Sequence, residues 1–377
     1  MDKKNIVVLP GDGIGPEVTG QAIRLLKSLQ EPLKMQFEFE EHPAGGSCLK
    51  AHGVPLLPET IEKCQAADAV LLGAVGSPEF DNNPSHLRPE RALLDLRAAL
   101  GVYCNLRPAT LYHTLLDASP LKHETIRGID LMVVRELTGG IYFGKPAGIE
   151  EDNGEQTAIN TMVYTETEIR RIARKGFDLA RKRRGKLTSV DKANVLQVSQ
   201  LWRAVVGEVA PEYPGVTLEH MLVDNCAMQL VRNPRQFDVI LTGNLFGDIL
   251  SDEASMLTGS IGMLPSASLG DGTPLYEPVH GSAPDIAGQN KANPIAMLAS
   301  LAMMFQYSFN RPEVANVIES SISTVLEKGY HTADLNLADG NLVGTEEMGT
   351  LIIEETLMRI RIQSESNSHP AKERVTS

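Results

Sequence analysis

Residues 237–272 read FDVILTGNLFGDILSDEASMLTGSIGMLPSASLGDG. The opening run, Val239-Ile240-Leu241, has the length and composition of a buried strand. Gly243-Asn244 breaks it. Asn244 predicts the N-cap of a helix ending near Gly259, where glycine suits the left-handed position after a helix. Asp248 and Asp252 are four apart, so their carboxylates share one helix face, one turn apart. Like charges there repel unless a cation intervenes, and an oxygen-only ligand set suits a hard ion such as Mg²⁺ or Mn²⁺. A solvated helix face is the ordinary alternative. The rest of this helix is apolar, however (Leu245, Phe246, Ile249, Leu250, Met256, Leu257), and a Gly/Ser/Pro-rich run follows at once, as a ligand-contacting loop requires.

Outward from this stretch, strands alternate with helices. Apolar runs at 6–9, 37–39, 69–72, 131–134, 187–190 and 217–223 predict strands. Helices are expected at 17–29, from Pro58, and at 90–100, 165–182, 191–209, 295–305, 314–328 and 345–361. This order argues for an α/β protein with a parallel sheet flanked by helices. Tyr103 to Pro108 is an extended segment broken by proline, and 276–288 is a Gly/Pro/Ser-rich loop. The first strand leads into Gly11-Asp-Gly13, but Pro16 stands where a third glycine belongs, so an ordinary dinucleotide fingerprint is rejected. A tight turn with close ligand approach stays open there. Residues 141–164 read as a protruding two-stranded arm, too small to stand alone, which hints at a dimer. Polar residues 363–377 read as a frayed tail.

The 377 residues suffice for two domains with a large core, and 42% are apolar. Lys and Arg number 35 against 48 Asp and Glu, a net charge of −13, which argues against nucleic acid as the main partner. The basic run Arg181 to Arg184 fits a helix C-terminus better than a nucleic-acid site. Cys48, Cys64, Cys104 and Cys226 form no C-x-x-C pair or zinc spacing and read as reduced cytoplasmic thiols. Neither a signal peptide nor a membrane span is expected. The single tryptophan, Trp202, falls in a helical pattern and is expected in the core.

Arg97, Arg107 and Arg135 each lie at or beside the end of an element. Singly, each could be a surface or salt-bridge residue. Together, and beside the aspartates, they would suit a small dicarboxylate gripped in bidentate fashion, with a metal completing the grip. Tyr142 and Lys192 are candidate proton donors or acceptors. Their ordinary alternatives are a packed tyrosine on an arm and a surface lysine.

Six long motifs then appear in order: GDGIGPEV (11–18), NLRPA (105–109), VRELTGGIYFG (134–144), SVDKANVL (189–196), GNLFGDILSDEASMLTGSIGMLPSASLG (243–270) and EPVHGSAPDIAGQNKANP (277–294). Over residues 4 to about 361 the chain resembles the β-decarboxylating dehydrogenase family of isopropylmalate and isocitrate dehydrogenases. The resemblance implies two α/β domains with parallel or mixed sheets flanked by helices, one from 1–104 and 260–377 and one from 105–259 carrying a dimerisation β-arm at about 141–164. It implies NAD-dependent oxidative decarboxylation of 3-isopropylmalate in leucine biosynthesis, with tartrate or D-malate as the alternative substrate and a catalytically silent scaffold as the non-enzyme alternative.

Residue by residue, the resemblance gives Arg97, Arg107 and Arg135 the malate carboxylates, and Asp248 and Asp252 the Mg²⁺ or Mn²⁺ ion. Asp224 of a second subunit joins them in a homodimer with shared active sites. Lys192, also from the second subunit, serves as base toward the C2 hydroxyl, and Tyr142 protonates the enolate. His280, the run Gly281, Ser282, Ala283, Pro284 and Asp285, and Asn293 hold the adenosine half of NAD. Asp285 favours NAD by repelling a 2′-phosphate. Glu90, Leu93 and Leu94, with the partner's Val195, form the pocket for the isopropyl group. Ala147 and His331 depart from the basic residues frequent at those places in relatives.

Overall fold

Ile6, Val7, Val8 and Leu9 are all buried, as a strand with neighbours on both sides and helices on both faces must be. The computed structural model describes residues 2–368, and its elements run in this order. Strand β1 (Asp2–Gly11) is followed by α1 (Gly15–Leu33), β2 (Met35–Glu41), α2 (Gly46–His52), α3 (Pro58–Ala66), β3 (Ala69–Ala74) and α4 (Glu90–Ala99). Next are β4 (Cys104–Thr110), α5 (His123–Ile126), β5 (Asp130–Glu136), β6 (Ala147–Asp152), β7 (Glu155–Asn160), α6 (Glu166–Lys182), β8 (Lys186–Asp191) and α7 (Gln197–Val209). Then come β9 (Thr217–Leu222), α8 (Val223–Arg232), β10 (Val239–Thr242), α9 (Asn244–Ser255), β11 (Pro265–Leu269) and β12 (Leu275–Pro278). The chain closes with α10 (Ile295–Tyr307), α11 (Pro312–Glu327), β13 (Tyr330–His331), β14 (Asn341–Leu342) and α12 (Thr345–Ser368).

Among the described residues, ten strands form one sheet, in the order β2-β1-β3-β12-β11-β4-β5-β10-β8-β9. Both flanks are parallel, as the strand–helix alternation predicts. The centre is antiparallel: β11 runs against both β12 and β4, and β4 runs against β5. The sheet is therefore mixed. Helix α10 is buried on every side from Ile295 to Phe305, which explains a run with no polar face. Thr165 and Glu168 form a reciprocal capping box that starts α6. Trp202 lies in the core, its indole N–H donating to Ser189 Oγ at 3.2 Å.

Several expectations need correction. Asn244 is not the N-cap; Gly243 is, and the Asn244 side chain turns elsewhere. Helix α9 ends at Ser255, and a 3₁₀ turn carries the chain to Gly259, which takes the left-handed conformation at φ 94°. The small residues after it are not all loop, because Pro265–Leu269 pair as β11. Helix α7 begins at Gln197 rather than 191, since Asp191 closes β8 and accepts Arg203 and the Ala193 N–H. Asp224 lies just past the strand at 217–222, as expected, but within the first turn of α8, a helix the sequence does not predict. Residues 363–368 continue α12 instead of fraying, and the rest of the expected tail, 369–377, lies outside the described residues.

Residues 147–160 form a separate β6–β7 hairpin, with Ile149 72% exposed, as the arm reading expects. The turn after β1 is tight because other backbone packs against it. Gly11 and Gly13 have φ of 76° and 56°, and a Cβ on either would lie 1.9 Å from a backbone oxygen, of Ala74 or Ser282. Backbone fills the space beside them.

Candidate functional site

The antiparallel centre of the sheet carries a polar row. Arg135 on β5 lies opposite Asn105 on β4, and Asn105 lies opposite Ser268 on β11. Ser266 lies opposite Glu277 on β12. All five side chains are buried, so each needs a partner. The Asn105 amide donates to Ser266 Oγ at 2.8 Å and Ser268 Oγ at 2.9 Å, while its oxygen accepts Arg107 Nε at 2.8 Å. Arg97, near the end of α4, pairs with Glu277 at 2.7 Å.

Helix α9 lays its aspartates against these arginines. Arg135 donates to Asp248 at 2.5 Å, and Arg107 lies 3.6 Å from Asp248 and 3.3 Å from Asp252. Arg107 also donates to Ser251 Oγ at 2.7 Å. The close approach depends on Gly247, where a Cβ would sit 2.7 Å from Arg135 Cγ. Tyr142, after β5, donates its hydroxyl proton to Asp248 at 3.0 Å. Guanidinium charge thus faces both aspartates in this chain.

The two carboxylates respond in opposite directions. Burial pushes Asp248 upward, but Arg135, Arg107 and the Tyr142 hydroxyl hold it below the ordinary aspartate range. Asp252 is raised: burial, with the Asp248 charge adding, outweighs Arg107. Burial, helped by the like charge of Arg107, brings Arg135 down to about 9. Tyr142 is raised, by burial and then by Asp248, so it carries its proton at neutral pH.

Arg97, Arg107, Arg135, Tyr142 and Asp248 line one cavity of about 370 Å³, together with Glu90, Leu93 and Leu94 of α4. Leu93 and Leu94 give this polar chamber an apolar wall. Arg97 Nε is buried with no hydrogen-bond partner. A neighbouring cavity of about 400 Å³ is lined by His280, Gly281, Ala283 and Asn293, with Ile14, Ser260 and Asp334. His280 and Gly281 border both, so the two spaces meet there. His280 Nε2 is buried and without a partner, and burial lowers the pKa of this ring.

Other expected site residues do not line these spaces. Ser282 is buried behind them, its carbonyl taken by the Ile14 N–H at 2.8 Å. Pro284 and Asp285 are exposed, between Ala283 and Ile286, which do line the second cavity. Asn293 has a structural task as well: its oxygen accepts the Ile295 N–H at 3.0 Å as α10 begins. Lys192, Val195 and Asp224 stand away from the arginine cavity. Lys192 and Asp224 pair with each other at 2.7 Å, and Val195 is 65% exposed. Among the described residues no cluster of three or more His, Cys, Asp and Glu could hold an ion. Asp248 and Asp252 offer two carboxylate ligands, which fits a hard divalent ion only if further oxygens join them.

Sequence reasoning missed Glu277, Asn105 and Asp334. Asp334 accepts Ser260 at 2.5 Å and Asn293 at 3.0 Å, which steadies the second cavity. It also missed Asp12, buried, whose carboxylate accepts the N–H groups of Gly46, Ser47 and Gly76 at 2.7–2.9 Å. Asp12, Asn105 and Glu277 sit inside the quoted motifs; only their partners, distant in sequence, reveal what they do.

Comparison with known proteins agrees with this architecture. The family model described as isocitrate/isopropylmalate dehydrogenase matches residues 5–352. The 3-isopropylmalate dehydrogenase of Priestia megaterium is 59% identical over 92% of this chain and 94% of its own length. That of Aquifex aeolicus is 56% identical over 94% of this chain and 97% of its own. Among solved structures, isocitrate dehydrogenase from Methylococcus capsulatus aligns with a TM-score of 0.83 at 34% identity, covering 94% of this chain and 99% of that one.

Proposed function

The chain belongs to the isocitrate/isopropylmalate dehydrogenase family, and from that premise we propose that it oxidatively decarboxylates 3-isopropylmalate to 4-methyl-2-oxopentanoate and CO₂ with NAD⁺, in leucine biosynthesis. One observation carries the reading of substrate: three buried guanidiniums converge on a cavity whose remaining wall includes Leu93 and Leu94. A malate with two carboxylates and one branched alkyl group has that pattern of charge and apolar surface. A third carboxylate, as in isocitrate, would meet leucine instead of a polar partner.

The chain's own residues divide the work. Arg97, Arg107 and Arg135 hold the two carboxylates and orient the one that leaves. The partner subunit's Lys192 accepts the proton of the C2 hydroxyl as the C2 hydride departs. When the bond to the β-carboxylate breaks, its electron pair stays on the substrate, and Tyr142 delivers a proton to that carbon. Bound NAD⁺ supplies the hydride acceptor, and a Mg²⁺ or Mn²⁺ ion held by Asp248, Asp252 and the partner subunit's Asp224 supplies Lewis-acid charge stabilisation. His280, the backbone of 281–285 and Asn293 would hold the adenosine half, with Asp285 accepting the ribose hydroxyls.

What one chain leaves open supports a homodimer. Lys192, Asp224 and exposed Val195 have no place in their own cavity, and α8 and α9 expose Met228, Val231 and Ile249. A second copy would seat both sets, with the 147–160 hairpin as its arm. We keep two domains, 1–104 with 260–377 and 105–259, as the bodies that close on the substrate, although the cut at 104 falls within β4. No helix among the described residues is long and apolar enough to cross a membrane. A cytoplasmic setting is our reading from the free, buried thiols and the biosynthetic relatives.

The test measures NADH formation from 3-isopropylmalate, D-malate and tartrate. The first should be preferred. A preference for D-malate of about tenfold or more would overturn the substrate assignment, since one apolar pocket separates alkyl groups only by about that much.

A further inference from the structure

Arg135 and Tyr142 belong to different segments, yet one side chain lies against the supports of both. Asn244 is 1% exposed. Its amide oxygen accepts Arg135 NH2 at 2.8 Å and Nε at 3.0 Å. Its amide nitrogen donates to the carbonyls of Leu137 at 3.0 Å and Gly139 at 3.1 Å, in the turn that leads to Tyr142. All four hydrogen-bonding positions of the amide are used. Its backbone N–H is taken by the Tyr164 hydroxyl at 2.7 Å, so the residue's helix-start position leaves the side chain free for this task.

We infer that Asn244 is a positioning residue that aligns the carboxylate grip with the proton donor, by fixing Arg135 and the 137–139 turn through one amide. The assignment rests on the reading of the reaction given above. Its chemistry explains the residue type. An amide takes two donors of the guanidinium fork without cancelling its charge, so Arg135 stays cationic for the substrate, with NH1 turned to Asp248. An aspartate would accept the same two bonds. It would also neutralise the arginine and set a second oxygen against two carbonyls, where the amide donates. Alanine would release both attachments and leave the Leu137 and Gly139 carbonyls without these donors.

The experiment compares Asn244→Ala and Asn244→Asp with the unaltered chain, as metal-loaded enzyme. Asn244→Ala should raise KM for 3-isopropylmalate and lower kcat, each about tenfold or more, by loss of alignment. KM for NAD⁺ should stay within about twofold, because Asn244 lines neither the second cavity nor its supports. A merely structural role would lower the active fraction or raise both KM values together. Dicarboxylate KM and kcat both within about threefold of the unaltered chain would overturn the assignment, as would a parallel rise in both KM values. If Asn244→Ala does not fold, Asn244→Asp decides: a kcat loss of at least about tenfold supports the assignment and an unchanged kcat overturns it. Calorimetric binding of 3-isopropylmalate separates this from the reaction itself. Should the unaltered chain bind the dicarboxylate without turning it over, the functional reading fails, while weakened binding by Asn244→Ala still supports the Asn244–Arg135 link.

Discussion

Two arginine–aspartate clusters sit at opposite ends of the same strands. At one end Arg183 and Arg184 meet Asp130, which starts β5, and Asp238, which precedes β10. At the other, Arg107 and Arg135 meet Asp248 and Asp252. The first cluster is closed. Asp238 is 2% exposed and accepts Arg183 Nε and the Arg184 N–H, both at 2.9 Å, while the Arg184 fork also takes the carbonyls of Asp130 and Phe237. The second opens on a cavity that Arg97 also lines. Identical residue types thus form a clamp where their hydrogen bonds are filled and line a cavity where a space is left beside them.

The comparison breaks most readily at Asp248. Asp248→Asn should lower kcat/KM about a thousandfold, the order expected when preorganised charge is lost, with the melting temperature held within a few degrees. Activity unchanged in a kinetic assay would remove the second cluster from function. Asp238→Asn should do the reverse. Breaking a buried charge pair costs about 3 kcal/mol of unfolding free energy, read by urea denaturation, with turnover per folded molecule unaltered. A loss of turnover there without a loss of stability would erase the distinction.

Titration sharpens the contrast within the open cluster. Carbon-13 carboxyl shifts should place the Asp248 midpoint below the ordinary aspartate value and that of Asp252 above it. The linkage signs follow. Asp248, depressed in the folded state, contributes stability that is present above its unfolded value and lost as pH falls through its folded one. Asp252, raised, opposes folding at neutral pH and ceases to do so as it protonates. The reverse order of midpoints would mean that the arginines do not face Asp248 as described. The smallest effect belongs to Arg181, whose exposed pair with Asp178 spans 2.9 Å. Arg181→Ala should move the melting temperature by no more than about 2 °C, measured by scanning calorimetry, and leave turnover alone.

Much was legible beforehand because it is local. Apolar runs gave most strands, amphipathic spacing gave the helix from 165 to 182, and the 248–252 spacing put two carboxylates on one face. Errors arose where a distant partner decides. Ser266 and Ser268 look like loop residues until β4 and β12 pair on either side of β11. The run 181–184 looks solvated, yet Arg183 and Arg184 reach two aspartates more than fifty positions away. Asn244 has the composition of a cap, and only its place beside Arg135, 109 residues distant, gives its amide another use.

By itself the sequence determined the kinds of groups this protein would bring to a site: guanidiniums, paired carboxylates, a phenol, an amine and a leucine pair, carried on alternating strands and helices. Periodicity and motif spacing record such things because they act over a few residues. Tertiary structure alone decided that the middle of the sheet runs antiparallel, that Arg97 leans on Glu277, and that arginine supplies the counter-charge of Asp248. It also decided which of two similar clusters keeps a cavity. Those outcomes depend on strand register and on the packing of segments far apart in the chain, which no local pattern encodes.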